Sequence, residues 1–215
     1  MSLITLTDPR SPASEAYRAL RTNLQFYSLD HPIRTLVVTS PAPDEGKSTT
    51  VANLAVTMAQ SGRRTILVDC DLRRPSLHTL FSRQTEPGLT NLVLGESDEL
   101  PLQETAVPDL WLLTSGPKPP NPADLLNTRR LDQIIEQLTA RADIVLFDAP
   151  PVVAVTDAAI LGAKVDGVLL VLSAGKTRRD HAERAKEMLE KAKARIVGVA
   201  LTNAPKDASV GDYYG

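Results

Sequence analysis

The stretch Ser40-Pro41-Ala42-Pro43-Asp44-Glu45-Gly46-Lys47-Ser48-Thr49 decides the fold of this chain. The apolar, β-branched run Thr35–Thr39 precedes it, and the helix-like run Thr50–Ala59 follows it. A strand, a tight loop with Gly-Lys-Ser and a helix, in this order, form the context of a phosphate-binding loop. The N-terminus of a helix offers unpaired N–H donors and the positive end of a dipole, both of which favour phosphate. The stretch therefore predicts a nucleotide site directly after the first strand.

The loop departs from the usual pattern G-x-x-x-x-G-K-[ST], because Pro41 stands at its first position. Neither Pro41 nor Pro43 has an N–H to donate to a phosphate. Gly46 allows the backbone to approach closely, Lys47 adds a positive charge, and Ser48 offers a hydroxyl to a magnesium ion. The residues predicted to bind nucleotide in this loop are Asp44, Glu45, Gly46, Lys47, Ser48 and Thr49.

Composition narrows the class of protein further. At 215 residues the chain fits one α/β domain, 1–215, and its net charge of −2 gives no basic face for nucleic acid. Cys70 is the only cysteine, which excludes an intrachain disulfide and suits a reducing cytosol. No run approaches the length of a membrane span, and residues 1–10 do not resemble a signal peptide, so we expect no direct membrane insertion.

Aliphatic runs and helix-like segments alternate along most of the chain. Continuous apolar runs without period-two alternation are typical of parallel strands that are covered on both faces. The pattern predicts a doubly wound, mostly parallel sheet flanked by helices, with functional groups beyond the carboxyl ends of the strands. Predicted strands are 34–40, 65–70, 110–114, 143–148, 167–173 and 195–203; predicted helices are 12–28, 47–61, 88–94, 122–140 (divided near Thr128), 156–164 and 177–193.

Carboxylates follow two of the predicted strands. Ile66–Val68 runs into Asp69 and Asp71, and Ile144–Phe147 runs into Asp148. Since the carboxyl ends of neighbouring parallel strands meet at one edge, these three side chains are expected to surround a magnesium ion beside Ser48. A spare carboxylate could accept a proton from an attacking hydroxyl.

The N-terminal part is predicted to be an extended arm, 1–11, followed by a helix from Pro12 to about Ser28. Steps of three place Glu15, Arg18 and Arg21 on one charged face of that helix. On spacing alone the face is either solvated, with a weak Glu–Arg pair, or an interface with another molecule.

Together these motifs resemble the cytoplasmic catalytic domain of bacterial tyrosine kinases, the autokinases of capsule and exopolysaccharide synthesis. The helix matches the E-x-x-R-x-x-R motif of that family, and residues 40–49 match its Walker A loop. Residues 66–73 match its Walker A′ motif, D-x-D-x-R, and residues 144–148 match its Walker B. The resemblance covers nearly the whole chain and implies a P-loop fold and the transfer of phosphate from ATP to tyrosine.

The resemblance also implies roles for single residues. Ser48, Asp71 and Asp148 would hold Mg²⁺, while Lys47 and the loop amides would hold the phosphates of ATP. Asp69 would be the better candidate for activating the tyrosine, although Asp71 stays open for that role. Asn203, which ends a predicted strand, would contact the adenine.

Implied partners follow from the same family. Glu15, Arg18 and Arg21 would bind a neighbouring copy in a ring, and the tail 206–215, with Tyr213 and Tyr214, would enter that neighbour's active site. A transmembrane activator of the polysaccharide co-polymerase type and a cognate phosphatase would act on the kinase. The protein would then be cytoplasmic and recruited to the inner face of the cell membrane.

Three other interpretations stay open. A nucleotide-switched partition or positioning ATPase usually has a second lysine early in the loop, where Ala42 stands. An iron–sulfur carrier ATPase usually needs paired cysteines, and Cys70 is alone. A catalytically weak, ring-forming adaptor is compatible with the short tail, which has two tyrosines.

Overall fold

The structure is a computed structural model that describes residues 3–30 and 32–204. Strands and helices alternate along the chain over most of this range. The tail 206–215, with the candidate acceptors Tyr213 and Tyr214, lies outside the described residues.

The described residues form one seven-stranded sheet with the order β3-β4-β2-β5-β1-β6-β7. Every neighbouring pair is parallel except β3 with β4, which is antiparallel. The mostly parallel sheet predicted from the apolar runs is therefore confirmed. The strands are β1 Thr35–Thr39, β2 Thr65–Asp69, β3 Gln103–Glu104, β4 Leu110–Leu113, β5 Ile144–Asp148, β6 Gly167–Ser173 and β7 Ile196–Thr202.

Helices cover both faces of the sheet. Successive strand residues point to opposite faces, and accordingly Val37 belongs to one buried apolar cluster while Leu36 and Val38 belong to the other. The first cluster packs against α5 to α9, and the second against α2, α3 and α4. The helices are α1 Ile4–Thr7, α2 Pro12–Asp30, α3 Lys47–Gln60, α4 Leu77–Leu80, α5 Leu89–Val93, α6 Pro122–Leu126, α7 Arg129–Arg141, α8 Asp157–Gly162 and α9 Arg179–Lys191.

Strand order brings the predicted site residues to one edge of the sheet. β5 lies between β2 and β1, and Asp148 is in register with Asp69 of β2 and with Val38 of β1. The loop that follows β1 leads into α3 at the same end. The two acidic strand ends and the phosphate-binding loop are therefore neighbours, as the carboxyl-end rule requires.

The N-terminal segment differs from the prediction of an extended arm. Residues Ile4–Thr7 form α1, with Leu3 and Thr5 buried against the rest of the molecule. The burial of Leu3 and Thr5 is a tertiary contact, which a local sequence pattern does not predict. Two other short elements, β3 and α4, also escaped prediction because neither is long enough to show a period.

The division of the predicted helix 122–140 near Thr128 is confirmed, since α6 ends at Leu126 and α7 begins at Arg129. Thr128 is the N-cap of α7, and its hydroxyl accepts a hydrogen bond from the Leu131 N–H at 3.3 Å. An N-cap hydroxyl satisfies one of the N–H groups that have no partner inside the helix.

We predict that Thr128→Ala lowers the free energy of unfolding by about 1 kcal/mol, because the cap of α7 is lost. Urea denaturation followed by circular dichroism measures the change. Thr128→Ser keeps the hydroxyl and serves as the matched control, with stability close to that of the wild type. Equal midpoints for wild type and Thr128→Ala would contradict the capping role.

Candidate nucleotide and metal site

The loop between β1 and α3 has the backbone of a phosphate-binding turn. Gly46 adopts φ +88° and Asp44 adopts φ +58°, both in the left-handed region. A Cβ added at Gly46 would also lie 3.3 Å from the Thr202 methyl carbon, at the end of β7. Only glycine combines that φ with so close an approach at low energetic cost, so Gly46 is required by the shape of the loop.

The backbone amides of the loop converge at the N-terminus of α3. None of the N–H groups of residues 44–49 donates a hydrogen bond to another described residue; the first to do so is that of Thr50, to the Gly46 carbonyl at 2.8 Å. Free amides at the first turn of a fourteen-residue helix are a binding site for anions. They support the predicted role of residues 44–49 in holding phosphate.

Lys47 joins the ends of β2 and β5. Its Nζ lies 2.9 Å from Asp71 Oδ2 and 3.2 Å from Asp148 Oδ1, and it donates to the Ser48 hydroxyl at 3.1 Å. Burial disfavours the charged ammonium, but the two carboxylates outweigh that effect and raise the pKa of Lys47. The lysine is therefore a cation shared between two carboxylates.

Asp148 is fully buried, and burial raises the pKa of its carboxyl, although Lys47 opposes the rise. Its second oxygen, Oδ2, has no hydrogen-bond partner among the described residues. A buried carboxylate oxygen without a partner is unfavourable unless a cation or donor meets it. Together with Ser48 and Asp71 it makes an all-oxygen donor set, which is the chemistry that Mg²⁺ prefers. The residues present therefore fit the metal.

Asp69 has a different environment from its neighbours. It is fully buried, and both of its oxygens accept backbone N–H groups: Oδ1 from Asp71, and Oδ2 from Ser76 at 3.0 Å and Leu77 at 2.9 Å. Burial, with Asp148 nearby, raises its pKa to about 8. Asp69 thus fixes the turn that follows β2, and two carboxylates rather than three converge on Lys47.

The side chain of Glu45 turns away from the free loop amides, although its residue was predicted to bind nucleotide. Its carboxylate accepts from the Thr177 hydroxyl at 2.6 Å and from the Ala42 N–H at 3.2 Å. Lys176 donates to the Asp44 carbonyl at 2.8 Å, and the Thr202 hydroxyl donates to the Glu45 carbonyl at 2.8 Å. Only the backbone of Glu45 is therefore available to phosphate.

Sequence reasoning missed the residues that support the loop from β6 and β7. Thr177 and Thr202 lie more than 130 residues from the loop they contact. Thr202 belongs to the segment 201–203, which resembles the kinase family, but its contact with the loop was not predicted. Asn203, predicted to contact adenine, follows β7 with φ +54° and donates to the Ser173 hydroxyl at 2.9 Å. It lies at the same sheet edge as the loop, which is compatible with a base-binding role.

Arg73, the last residue of the D-x-D-x-R pattern, makes a two-pronged ion pair. Its Nε and Nη2 each lie 3.0 Å from an oxygen of Asp157, whose side chain is fully buried at the start of α8. The pair ties the turn after β2 to α8. The Cys70 thiol beside it is fully buried, and burial raises its pKa, so packing explains this cysteine.

The predicted charged face of α2, formed by Glu15, Arg18 and Arg21, makes contacts within the chain. The Arg18 guanidinium pairs with the Glu15 carboxylate and donates to the Pro9 carbonyl at 2.6 Å. Arg21 turns towards α3 and donates to the Thr57 carbonyl at 3.1 Å. The three residues line a shallow concavity along the helix, with a volume of about 640 Å³, together with Ala16, Ala19 and Thr22.

The described residues constrain both how a metal could be held and how the chain could relate to a membrane. No group of three or more His, Cys, Asp or Glu side chains is arranged there to hold a metal, so an ion at Asp71 and Asp148 would complete its shell with Ser48, phosphate and water. Over the same residues, every helix is either too short or too polar to cross a bilayer.

The fold and the loop define the class of protein. A family model described as "ParA: NUBPL iron-transfer P-loop NTPase" matches residues 33–204, which include the loop and both acidic strand ends. This match covers most of the chain, which therefore belongs to the P-loop NTPases of that family.

Relatives define the branch within this class. The chain is 44% identical to the tyrosine-protein kinase YwqD of Bacillus subtilis (strain 168), across 99% of this chain and 90% of that protein. It superposes with a TM-score of 0.91 on the kinase domain of Escherichia coli tyrosine kinase ETK, at 35% identity, covering 97% of this chain and 82% of that one. The chimerical protein CapA2B2 also gives 0.91, at 38% identity, with coverage of 95% and 90%. The chain belongs to the bacterial tyrosine-protein kinases.

We predict that Lys47→Met destabilises the fold on the order of 1–3 kcal/mol at about pH 8, because Asp71 and Asp148 lose their cation. Burial already raises the pKa of the folded Asp148 carboxyl above its usual value, and the loss of Lys47, which opposes that rise, raises it further. The penalty therefore applies where Asp148 must be ionised, and it shrinks as the pH falls and this carboxyl takes up a proton.

Urea unfolding of wild type and Lys47→Met at about pH 8 and about pH 5 tests this dependence. The double variant Lys47→Met/Asp148→Asn removes one of the two uncompensated charges, and we expect it to recover part of the loss at the higher pH. A stability difference that is equal at both pH values would contradict the electrostatic account.

Proposed function

We propose that this chain is an ATP- and Mg²⁺-dependent protein-tyrosine kinase that phosphorylates tyrosines of the C-terminal tail, in trans, within a ring of identical copies. One observation carries the proposal: the ends of β2 and β5 bring Asp71 and Asp148 to the lysine that begins the phosphate-loop helix. Family membership supports the reaction, since the relative YwqD is named a tyrosine-protein kinase.

The chain's own residues would bind and orient the reactants. Free amides of residues 44–49 hold the β- and γ-phosphates, and Lys47 leaves the carboxylates to neutralise phosphate charge. Ser48, Asp71 and Asp148 would hold the metal, the two carboxylates directly or through water, and the bound metal would supply charge neutralisation for phosphoryl transfer. Most of the rate enhancement then comes from positioning and electrostatics, because little covalent chemistry is required of the protein.

Asp71 is the candidate base that the geometry favours over Asp69. A base must come within hydrogen-bond reach of the tyrosine hydroxyl, and three backbone N–H groups already occupy the oxygens of the fully buried Asp69. Asp71 Oδ1 also accepts a backbone N–H, from Arg74 at 3.0 Å, but its Oδ2 points to Lys47, at the place where the phosphates would lie. In this proposal Asp69 fixes the position of Asp71, whose N–H donates to Asp69 Oδ1 at 3.2 Å.

The four tyrosines divide into two pairs. Tyr17 is half-buried, and burial raises the pKa of its phenol. Tyr27 accepts from Arg195 Nε at 3.1 Å, and its ring lies 5.1 Å from the Arg195 guanidinium carbon. Both are held by packing, which favours Tyr213 and Tyr214 as the phosphate acceptors.

The biological setting is proposed from the resemblance alone. The kinase would regulate the synthesis and export of capsular or extracellular polysaccharide, at the inner face of the cell membrane. A transmembrane activator would recruit it there, and a cognate phosphatase would reverse the modification.

Iron transfer, which the description of the matching family model mentions, lacks a ligand set in this chain. Cys70 is the sole cysteine and is fully buried. A nucleotide-switched ATPase without tyrosine transfer uses the same loop and is the alternative that the experiment below must separate.

Incubation with Mg-ATP, followed by mass spectrometry of the C-terminal peptide, tests the proposal. We predict phosphate on Tyr213 or Tyr214, and its loss in Lys47→Met, because that variant lacks the cation that binds phosphate. Tyr213→Phe/Tyr214→Phe should abolish the signal while nucleotide binding persists.

The same measurement is repeated in the presence of the membrane activator, because the kinase could require the activator for activity. Steady ATP hydrolysis with unmodified tyrosines under both conditions would overturn the kinase assignment in favour of a switch ATPase.

We further predict that Arg18→Ala/Arg21→Ala reduces the oligomeric mass measured by light scattering, because these side chains face a second copy in the proposed ring. The matched control is Arg178→Ala/Arg179→Ala, which breaks two exposed ion pairs at the start of α9. Since Arg21 also contacts Thr57 within the chain, the single variant Arg18→Ala checks that the result is not caused by misfolding. An unchanged mass for folded variants would remove the interface assignment.

A further inference from the structure

The short helix α1 is joined to the phosphate-loop helix by a buried hydrogen-bonded chain. The backbone N–H and the hydroxyl of Thr5 both donate to Asn53 Oδ1, at 3.1 and 2.9 Å. Asn53 Nδ2 in turn donates to the Thr49 carbonyl at 2.8 Å. Thr5 and Asn53 are both fully buried. Two consecutive hydrogen bonds therefore connect Thr5 to the Thr49 carbonyl in the first turn of α3.

That first turn is the part of α3 that would hold phosphate. The N–H groups of residues 44–49 donate to no other described residue, so the placement of the turn as a whole decides where they point. Contacts to the carbonyl side of the turn must orient it before a ligand arrives. Asn53 makes such a contact at Thr49, one residue after the proposed metal ligand Ser48.

The segment that carries Thr5 is itself held in place by α2. The Ser14 hydroxyl lies 2.7 Å from the Asp8 carbonyl and 3.2 Å from the Ile4 carbonyl, within donating distance of both. Arg18 donates to the Pro9 carbonyl at 2.6 Å. Because α2 holds this segment in place, the hydrogen bond from the Thr5 hydroxyl also holds the Asn53 side chain in place.

We propose that Thr5 is a positioning residue for the nucleotide loop, which acts through Asn53 on the first turn of α3. It contacts neither the phosphate-binding amides nor the carboxylates. This inference rests on the proposed function in one respect, namely that residues 44–49 bind the phosphates of a nucleotide. It adds that nucleotide affinity depends on a hydroxyl in the N-terminal segment.

A purely structural role for Thr5 makes a different prediction. Replacement of a buried hydroxyl by a methyl group of the same shape would then change only the stability of the fold. In the positioning role, loss of the hydroxyl leaves Asn53 Oδ1 with the Thr5 N–H alone. The first turn is then less well oriented, and part of the binding free energy goes into ordering it.

The test measures the dissociation constant for Mg-ADP by isothermal titration calorimetry, because ADP binds without a phosphoryl transfer. We expect Thr5→Val to bind Mg-ADP about three- to tenfold more weakly than the wild type. Thr5→Ser keeps the hydroxyl and should restore binding. Thr7→Val is the matched control in the same helix, since the exposed Thr7 donates only to the Leu3 carbonyl; it should bind within about twofold of the wild type.

Thermal unfolding of each variant separates positioning from stability. Unchanged Mg-ADP affinity in Thr5→Val, with or without a lower melting temperature, would overturn the inference. A wild-type protein that binds no Mg-ADP would contradict the proposed function itself, and the two failures are therefore distinguishable.

A double-mutant cycle with Asn53→Ala tests whether Thr5 acts through Asn53. Because Thr5→Val and Asn53→Ala interrupt the same chain of hydrogen bonds, their combined effect on affinity should be smaller than the sum of the single effects. Additive effects would show that Thr5 does not act through Asn53.

Discussion

The ion pairs of Lys47 with Asp71 and Asp148 are the interaction on which the rest of the site depends. The two carboxylates follow the ends of β2 and β5, Lys47 begins the helix after the β1 loop, and parallel pairing places these three strand ends together. Two buried carboxylates this close would repel one another without a cation. The lysine compensates them, and in the proposed function Asp71 and Asp148 would hold a metal ion that supplies this compensation once Lys47 binds phosphate.

This exchange of partners explains why the loop is supported from so many directions. Glu45 is held by Thr177 of the β6–α9 connection, and its carbonyl is held by Thr202 of β7. On the opposite side, Asn53 holds the first turn of α3. These contacts fix the backbone, so that the side chain of Lys47 can move while the amides stay in place. The arrangement is an example of preorganisation, in which the protein meets the cost of ordering during folding.

The sequence predicted the parts of the site that obey a local rule. Continuous apolar runs identified the strands, and Asp71 and Asp148 were placed at one edge because parallel strand ends converge. It could not predict the contacts of Thr5 with Asn53 or of Glu45 with Thr177, which join residues 48 and 132 positions apart and depend on how whole elements pack. Spacing on a helical wheel grouped Arg21 with Arg18, and both line one concavity, but it could not report that Arg21 also donates to the Thr57 carbonyl.

The central claim is that one cluster serves as an ion-paired core without ligand and as a magnesium–nucleotide site with it. A crystal structure with Mg²⁺ and a non-hydrolysable ATP analogue tests this claim most directly. The account predicts that Lys47 Nζ leaves Asp71 and Asp148 for the phosphates, and that the ion lies against Ser48 and the previously unpartnered Oδ2 of Asp148. A nucleotide bound elsewhere, or a Lys47 still paired with both carboxylates, would contradict it.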